Sequence, residues 1–157
     1  MENGKPALAG IKVLDFTQFE AGPSCTEALA WMGADVVKME NPYRGDPGRL
    51  AASEDGKTDS YYFLLFNANK RGVTANLKSP EGLKLAKKMV AKADVMIENL
   101  GPGVIEKLGL GYDVVKKINP RLIYAQVKGF AGEGPYGKFL SFYMHAQSAG
   151  GITSMPG

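Results

Sequence analysis

The chain is poor in the side chains that most often hold metals or form covalent cross-links. Its 157 residues include one cysteine, Cys25, and one histidine, His145. No disulfide can form within the chain, and no cysteine-based metal cluster can be built from it. We therefore predict that the chain has no metal site, that Cys25 packs into the core and that His145 has a structural role. A cytoplasmic location is the default expectation for such a chain.

Long hydrophobic runs and strong charge are also missing. No apolar segment approaches the roughly 20 residues that a transmembrane helix needs. The first ten residues, MENGKPALAG, lack the apolar stretch of a signal peptide. The formal net charge is +3, which suits an anionic ligand without requiring nucleic acid. We therefore expect neither a membrane nor a nucleic acid as a partner.

Two glycine-rich phosphate-binding fingerprints, GxGxxG and GxxxxGK, are absent as well. What the sequence does contain is a regular alternation of strand and helix patterns. Short runs rich in β-branched residues predict five strands. These strands are Ile11–Phe16, Asp35–Met39, Val73–Asn76, Val95–Glu98 and Leu122–Val127. Because helical patterns separate them, we predict an α/β fold with a doubly wound, mostly parallel sheet.

Four helices are predicted between these strands. The first covers residues 24–32, and its Trp31 is expected in the core. The second begins after Ser79, whose side chain can cap it, and the lysines within residues 84–92 are interpreted as its solvated face. The remaining two helices are predicted over residues 102–108 and 113–118.

Two segments do not fit the alternation. Residues 41–60 are rich in Gly, Pro and Asp, which marks a surface loop. Loops of this length are often functional, although a flexible loop with no role is an open alternative. The end of the chain, Ala146–Gly157, carries no charge, and its Ala, Ser and Gly residues are typical of a tightly packed segment inside a longer protein.

Several charged residues stand near predicted strand ends, where open α/β sheets bind their ligands. The acidic candidates are Asp15, Glu20, Glu40 and Glu98. Asp15 is expected to support the turn after the first strand through backbone hydrogen bonds. Lys70 and Arg71 either contact a phosphate or carboxylate of a ligand or anchor their turn to neighbouring acids, which is the commoner role.

A series of motifs in one order resembles a known family. It includes VLDFT at 13–17, AGP at 21–23, GADVVKME at 33–40, NANKR at 67–71 and IENLGPG at 97–103. These motifs are similar to those of the class III CoA-transferases, the family of formyl-CoA:oxalate and carnitine-type CoA-transferases. The resemblance extends over nearly the whole chain. It implies a Rossmann-like fold and a parent enzyme that moves CoA between an acyl-CoA thioester and a carboxylic acid.

The resemblance also implies what the chain lacks. Members of this family are roughly twice as long or more, and their aspartate nucleophile matches a position beyond residue 157. Residues 1–157 would then be an N-terminal CoA-binding domain, incomplete at its C-terminus and inactive alone, from an enzyme that forms an interlocked homodimer. Two alternatives stay open: a non-catalytic CoA- or nucleotide-binding module, and a structural fragment that folds only with a partner.

By the same resemblance, coenzyme A or acyl-CoA would contact several residues of this chain. The loop after the first strand would approach the thioester, Asn99 would border the CoA, Ala75 would lie against adenine, and Lys107 would flank the nucleotide end. Glu20 stands where formyl-CoA transferase has glutamine and is a possible modulator, an exposed carboxylate or a helix cap. The expected CoA-binding residues are Phe19, Glu20, Ala21, Ala75, Asn99, Leu100, Gly101, Lys107 and Leu108.

Overall fold

The fold is built on a single parallel sheet. The computed structural model describes residues 4–53 and 55–155. The strands are β1 (Lys12–Asp15), β2 (Asp35–Glu40), β3 (Arg71–Thr74), β4 (Val95–Glu98) and β5 (Ile123–Gln126). They lie in the order β3-β2-β1-β4-β5, and every neighbouring pair is parallel. The predicted α/β class and parallel sheet are confirmed.

Helices alternate with these strands along the chain. They are α1 (Ala21–Trp31), α2 (Tyr61–Phe66), α3 (Pro80–Val90), α4 (Val104–Lys107), α5 (Tyr112–Ile118) and α6 (Tyr143–Ala149). Short 3-10 turns cover Pro47–Arg49 and Ile152–Ser154. The four predicted helices are present, whereas α2 and α6 were not predicted from the sequence.

Two hydrophobic clusters cover the two faces of the sheet. Leu14, Phe16 and Met96 belong to the larger cluster, and Val13 and Ile97 belong to the smaller one. Successive residues of a strand point to opposite faces, so this division places one cluster on each side of the sheet. The central strands β1, β2 and β4 are therefore buried on both faces, as expected for a doubly wound fold, whereas the edge strands β3 and β5 are exposed or half-buried.

Helix α3 begins as its sequence predicts. The Ser79 hydroxyl accepts a hydrogen bond from the Gly82 N–H at 3.1 Å, and Pro80 occupies the first turn. Glu81 also lies in that first turn, where its negative charge is favoured by the helix dipole. Lys84, Lys88 and Lys92 are exposed and Lys87 is half-buried, which agrees with the predicted solvated face.

Helix α1 differs from its prediction in its start and in its buried face. It begins at Ala21, three positions before the predicted Ser24. The buried residues near its middle and end are small, Thr26 and Ala30, so the helix lies close to the sheet. Trp31 is 66% exposed and Cys25 is exposed, so both predicted core positions are wrong.

The segment after β5 lies largely outside the core. Helix α6 has no buried residue among those described, and its His145 is exposed beside the Phe142 ring. Phe139, Leu140 and Phe142 are each about 60% exposed. The predicted tight packing of Ala146–Gly157 is therefore not found within the described part of this chain, and Pro156 and Gly157 lie outside it.

Candidate functional site

The order in which strands are added to the sheet reverses between β1 and β4. From β1 the chain runs outward to β2 and β3, and it then returns to add β4 and β5 on the other side. In open parallel sheets, ligands bind in the crevice outside the carboxyl ends of the strands at such a switch point. The turns that follow β1 and β4 are therefore the candidate site.

A side-chain amide joins these two turns. The Asn99 Oδ1 accepts a hydrogen bond from the Gln18 N–H at 2.7 Å, and the Asn99 Nδ2 donates one to the Gln18 carbonyl oxygen at 2.7 Å. Asn99 directly follows β4, and Gln18 lies three positions after β1. The bonds hold the predicted loop Phe19–Ala21 next to the predicted turn Asn99–Gly101.

The remaining backbone groups of the β1 turn are held in the same way. The Thr17 N–H donates to Asp15 Oδ1 at 2.8 Å, and the Thr17 carbonyl accepts from Lys38 Nζ at 2.8 Å. The Phe19 N–H donates to Asp46 Oδ1 at 3.0 Å. Five successive backbone groups, from the Thr17 N–H to the Phe19 N–H, thus bond to side chains. Asp15 supports this turn as predicted.

Phe19 adopts a backbone conformation that is rare for a large residue. Its φ angle is 61°, in the left-handed region that glycine normally occupies. Such a conformation costs on the order of 1–3 kcal/mol and persists only where the surroundings enforce it. The bonds from Asn99 and Asp46 supply that enforcement on either side of the Gln18–Phe19 peptide group.

A buried ion pair lies beneath the turn. Lys38 Nζ is 2.8 Å from Asp46 Oδ2, and the two side chains are 3% and 0% exposed. Asp46 Oδ1 also accepts from the Gly48 N–H at 2.8 Å, and the Asp46 N–H donates to Glu40 Oε2 at 2.8 Å. The first part of the polar loop 41–60 is therefore fixed against the sheet, which argues against the flexible interpretation of this part.

Glu40 and Arg49 extend this network. Arg49 Nε and Nη2 donate to the two Glu40 oxygens at 2.8 and 2.7 Å, and Arg49 Nη1 donates to Asp59 at 2.7 Å. Burial alone would raise the pKa of Glu40. The hydrogen bonds from Arg49 and the Asp46 N–H and the nearby positive charges outweigh burial and hold that pKa below its ordinary value. Glu40 is thus a structural anion.

Lys70 forms a second buried ion pair on the other side of the turn. Its Nζ lies 3.2 Å from Asp15 Oδ2 and also donates to the Pro23 carbonyl and the Asn67 side chain, each at 2.9 Å. Burial lowers the pKa of Lys70, although the Asp15 charge opposes this. Arg71 pairs with Asp35 at 2.7 Å. Both basic residues anchor the fold, which confirms the commoner of the two predicted roles.

Glu98 is also committed to internal bonds. Its carboxylate is fully buried, accepts from the Leu100 N–H at 2.8 Å and lies 2.7 Å from Lys128 Nζ. Lys128 Nζ also donates to the Leu100 carbonyl at 2.6 Å. Burial and the nearby Glu98 charge raise the pKa of the Tyr124 hydroxyl. Glu98 and Lys128 therefore hold the turn after β4 from below.

Glu20 is exposed at the start of α1. Within the described residues its side chain forms no capping hydrogen bond to the helix, so the predicted alternative of a helix cap is wrong. Burial and the charges of Glu20 and Asp46 raise the pKa of the Tyr62 hydroxyl, so Tyr62 is protonated near neutral pH. The other two predicted alternatives for Glu20, an exposed carboxylate and a modulator of the reaction, stay open.

The remaining predicted CoA-binding residues, a second group, are Ala75, Lys107 and Leu108. Ala75 is buried directly after β3, and it shares the larger hydrophobic cluster with Ile105 of α4. Lys107 is the exposed last residue of α4, and Leu108 follows it half-buried. Residue 75 and helix α4 therefore lie on the same face of the sheet.

Some residues at the site were missed from the sequence. Lys38 and Asp46 are buried beneath the turn, and no local pattern distinguishes them from ordinary strand and loop charges. Phe142 packs edge-on against Phe19 with ring centroids 6.3 Å apart. Leu140 lies so close to Gly101 that a Cβ there would come within 3.0 Å of it. The segment 139–142 therefore crosses the same sheet edge.

Other surfaces of the described residues offer less chemistry. A shallow groove of about 560 Å³ runs along the lysine face of α3 and ends at Ile118, away from the switch point. No group of three or more His, Cys, Asp or Glu side chains within residues 4–53 and 55–155 is arranged to hold a metal ion. Over the same residues, no helix is long and apolar enough to cross a membrane.

Comparison of the sequence with protein families gives a match over almost its entire length. The model of CoA-transferase family III matches residues 8–157. The chain is 48% identical over 151 residues to a formyl-CoA:oxalate CoA-transferase of Streptomyces coelicolor, and 43% identical over 150 residues to one of Escherichia coli. Each match covers 96% of this chain and 36% of the relative. The chain belongs to CoA-transferase family III and spans about a third of the length of these relatives.

Solved structures agree with this assignment. A CAIB/BAIF family protein from Brucella suis superposes with a TM-score of 0.91 at 37% identity, over 98% of this chain and 42% of that protein. A hypothetical protein from Mycobacterium tuberculosis superposes with a TM-score of 0.86 at 37% identity, over 97% of this chain and 42% of that protein. A short chain dehydrogenase/reductase family protein, 15% identical with a TM-score of 0.51, shares the fold alone.

Proposed function

We propose that residues 1–157 are the N-terminal, CoA-binding domain of an enzyme that transfers CoA from an acyl-CoA thioester to a free carboxylic acid. The observation that carries this proposal is the joined pair of turns at the sheet switch point, held by Asn99 and Gln18. The similarity to formyl-CoA:oxalate CoA-transferases supports the reaction class. The parent enzyme is proposed to act as a homodimer.

The proposed reaction uses an aspartate carboxylate beyond residue 157. It attacks the carbonyl carbon of the acyl-CoA thioester, forms a mixed anhydride and expels the CoA thiolate. The thiolate attacks the aspartyl carbonyl carbon, which gives an aspartyl-CoA thioester and releases the donor acid. The acceptor carboxylate then attacks this thioester, and the freed thiolate attacks the acceptor carbonyl, which restores the aspartate.

The acidic residues near the strand ends of this chain are poor candidates for that nucleophile. Asp15 and Glu98 are fully buried, and each is paired with a lysine. Glu40 is 8% exposed and is held by Arg49. A carboxylate engaged in such bonds cannot approach a thioester without breaking them. Glu20 is the exposed exception at this edge, and a negative charge beside a developing oxyanion opposes its stabilisation.

The proposed binding roles follow the two groups of residues. Phe19, Glu20 and Ala21 would lie beside the thioester, and Asn99, Leu100 and Gly101 would border the CoA. Ala75 and Leu108 would pack near the adenine end. Lys107 is exposed and would bind a CoA phosphate as a point charge.

A transfer assay tests the proposed function. Purified parent protein and purified residues 1–157 are each incubated with formyl-CoA and oxalate, and with a panel of other acyl-CoA and carboxylate pairs. We expect new acyl-CoA to form with the parent and none with residues 1–157 alone. A parent protein that transfers CoA to no acceptor would refute the proposed reaction, and steady transfer by residues 1–157 would refute the missing nucleophile.

A further inference from the structure

Asp46 contacts the candidate site only through the backbone of another residue. It lies in the loop after β2, and it is 1% exposed. We propose that Asp46 is a positioning residue for CoA transfer, because it fixes the backbone of Phe19 and so the direction in which Phe19 and Glu20 meet the acyl-CoA. This inference rests on the proposed function and names a residue that acts through the turn rather than on the substrate.

The two carboxylate oxygens of Asp46 have different partners. Asp46 Oδ1 accepts from the Phe19 N–H at 3.0 Å and from the Gly48 N–H at 2.8 Å. Asp46 Oδ2 lies 2.8 Å from Lys38 Nζ. Lys38 in turn donates to the Thr17 carbonyl at 2.8 Å. The buried Lys38–Asp46 pair therefore bonds to the turn at two backbone groups, the Thr17 carbonyl and the Phe19 N–H.

Stability alone is a weak explanation for this pair. Burying two charges costs desolvation, and buried ion pairs are often no more stabilising than well-packed apolar residues. What the pair does supply is a fixed acceptor, Asp46 Oδ1, for the backbone N–H of the left-handed Phe19. A hydrophobic pair of similar volume would leave that part-buried N–H without its acceptor.

The fixed backbone matters because the side chains that follow are exposed at the sheet edge. Phe19 is 40% exposed and Glu20 is exposed, and α1 begins at the next residue. If Phe19 relaxed to a negative φ, both side chains would leave the turn in another direction. Errors of about 1 Å in the placement of reacting groups cost on the order of a hundredfold in rate.

Two substitutions in the parent enzyme separate positioning from stability. Asp46→Ala removes both oxygens. Asp46→Asn keeps an oxygen for the Phe19 and Gly48 N–H groups but removes the negative charge that pairs with the buried Lys38. Val90→Ala is the control, because Val90 is buried at the end of α3 near the amino edge of the sheet, away from the turn. The values of kcat and KM and the melting temperature are measured for each variant under conditions in which it is fully folded.

We expect Asp46→Ala to lower kcat at least tenfold, and Asp46→Asn to recover most of that loss even though its melting temperature falls as far. Val90→Ala should lower the melting temperature and keep the parent kcat. The inference is overturned if kcat follows the melting temperature across the variants, or if Asp46→Ala keeps the parent kcat. A parent without any CoA transfer would overturn the proposed function first, and this inference with it.

If Asp46→Ala does not fold, amide hydrogen exchange in the unsubstituted parent enzyme tests the inference instead. We expect the Phe19 N–H to exchange at least a hundredfold more slowly than in an unstructured peptide, although its side chain is exposed. Exchange at the unstructured rate would show that Asp46 does not hold this backbone group, and it would overturn the inference.

Discussion

The side-chain amide of Asn99 forms hydrogen bonds with both backbone groups of Gln18, which lies 81 positions earlier in the sequence. The two bonds connect the turns after β1 and β4, the two strands between which the sheet order reverses. They join the chain segments beyond the last paired residues of β1 and β4. Asn99 therefore helps to set the spacing of the two halves of the site.

Replacing Asn99 with alanine should cost stability and separate the turns. Each net hydrogen bond contributes about 0.5–1.5 kcal/mol, so we expect the free energy of unfolding to fall by roughly 1–3 kcal/mol. Asn119→Ala is the matched control, because the Asn119 amide also bonds to backbone groups, at the other edge of the sheet. Its Nδ2 donates to the Val90 and Ala93 carbonyls, and its Oδ1 accepts from the Arg121 N–H. Both variants should lose similar stability in urea unfolding, and only Asn99→Ala should weaken CoA binding. Equal CoA affinities would contradict the role of Asn99 at the site.

Much of the sheet could be predicted from the sequence, and the reason is physical. Strands buried on both faces need nearly continuous apolar runs, which Val13–Phe16 and Val95–Ile97 provide. Ser79 and Pro80 likewise mark the start of α3 through local chemistry that the structure retains. These signals depend on residues close together in the chain.

The network beneath the turn could not be predicted, because its partners are distant in sequence. Lys38 lies inside a strand pattern, where a lysine usually indicates an exposed edge, yet it is 2% exposed because Asp46 folds back over it. Trp31 was misplaced for the opposite reason. It was expected in the core, but α1 lies close to the sheet and buries only small side chains such as Ala30.

Gly22 has no room for a side chain. A Cβ at this position would overlap the Cβ and Cγ2 of Thr17, whose backbone forms part of the turn. Gly22→Ala should therefore destabilise the fold by roughly 1–3 kcal/mol. Gly72→Ala is the control, since a Cβ there meets no described atom within 4 Å, and it should be neutral or stabilising. Thermal unfolding of both variants checks this, and equal melting temperatures would contradict the close contact.

Glu40 should make the fold sensitive to acid. Its folded-state pKa lies below its ordinary value of about 4.3, so its stabilising contribution is complete above that pH and is lost as the pH falls through the folded-state pKa. Glu40→Gln should cost roughly 2 kcal/mol at pH 7, the scale of hydrogen bonds to a charged group. The difference in the free energy of unfolding between Glu40→Gln and the unsubstituted protein should shrink below about pH 4.

Urea unfolding at several pH values measures this difference. Glu133→Gln serves as the control, because Glu133 is exposed and forms no ion pair with the residues that the structure describes. Its effect should be near zero at every pH. A Glu40→Gln deficit that stays constant from pH 7 to pH 3 would show that the carboxylate charge contributes nothing.

Glu20 should change turnover without changing the fold. Glu20→Gln keeps the shape of the side chain and removes a negative charge that opposes a developing oxyanion, so turnover in the parent enzyme should change and can rise. The melting temperature should stay within about 1 °C, since surface substitutions usually alter stability by less than 0.5 kcal/mol. An unchanged kcat at saturating substrate would leave Glu20 as an exposed carboxylate with no part in the reaction.

Hydrogen–deuterium exchange of the parent protein with and without CoA tests the central claim most directly, because it locates the ligand along the chain. We predict that CoA slows exchange in residues 18–22 and 99–108 and leaves the lysine face of α3, residues 84–92, unchanged. Protection confined to α3, or no protection by CoA in either turn, would contradict the placement of the CoA site at the switch point between β1 and β4.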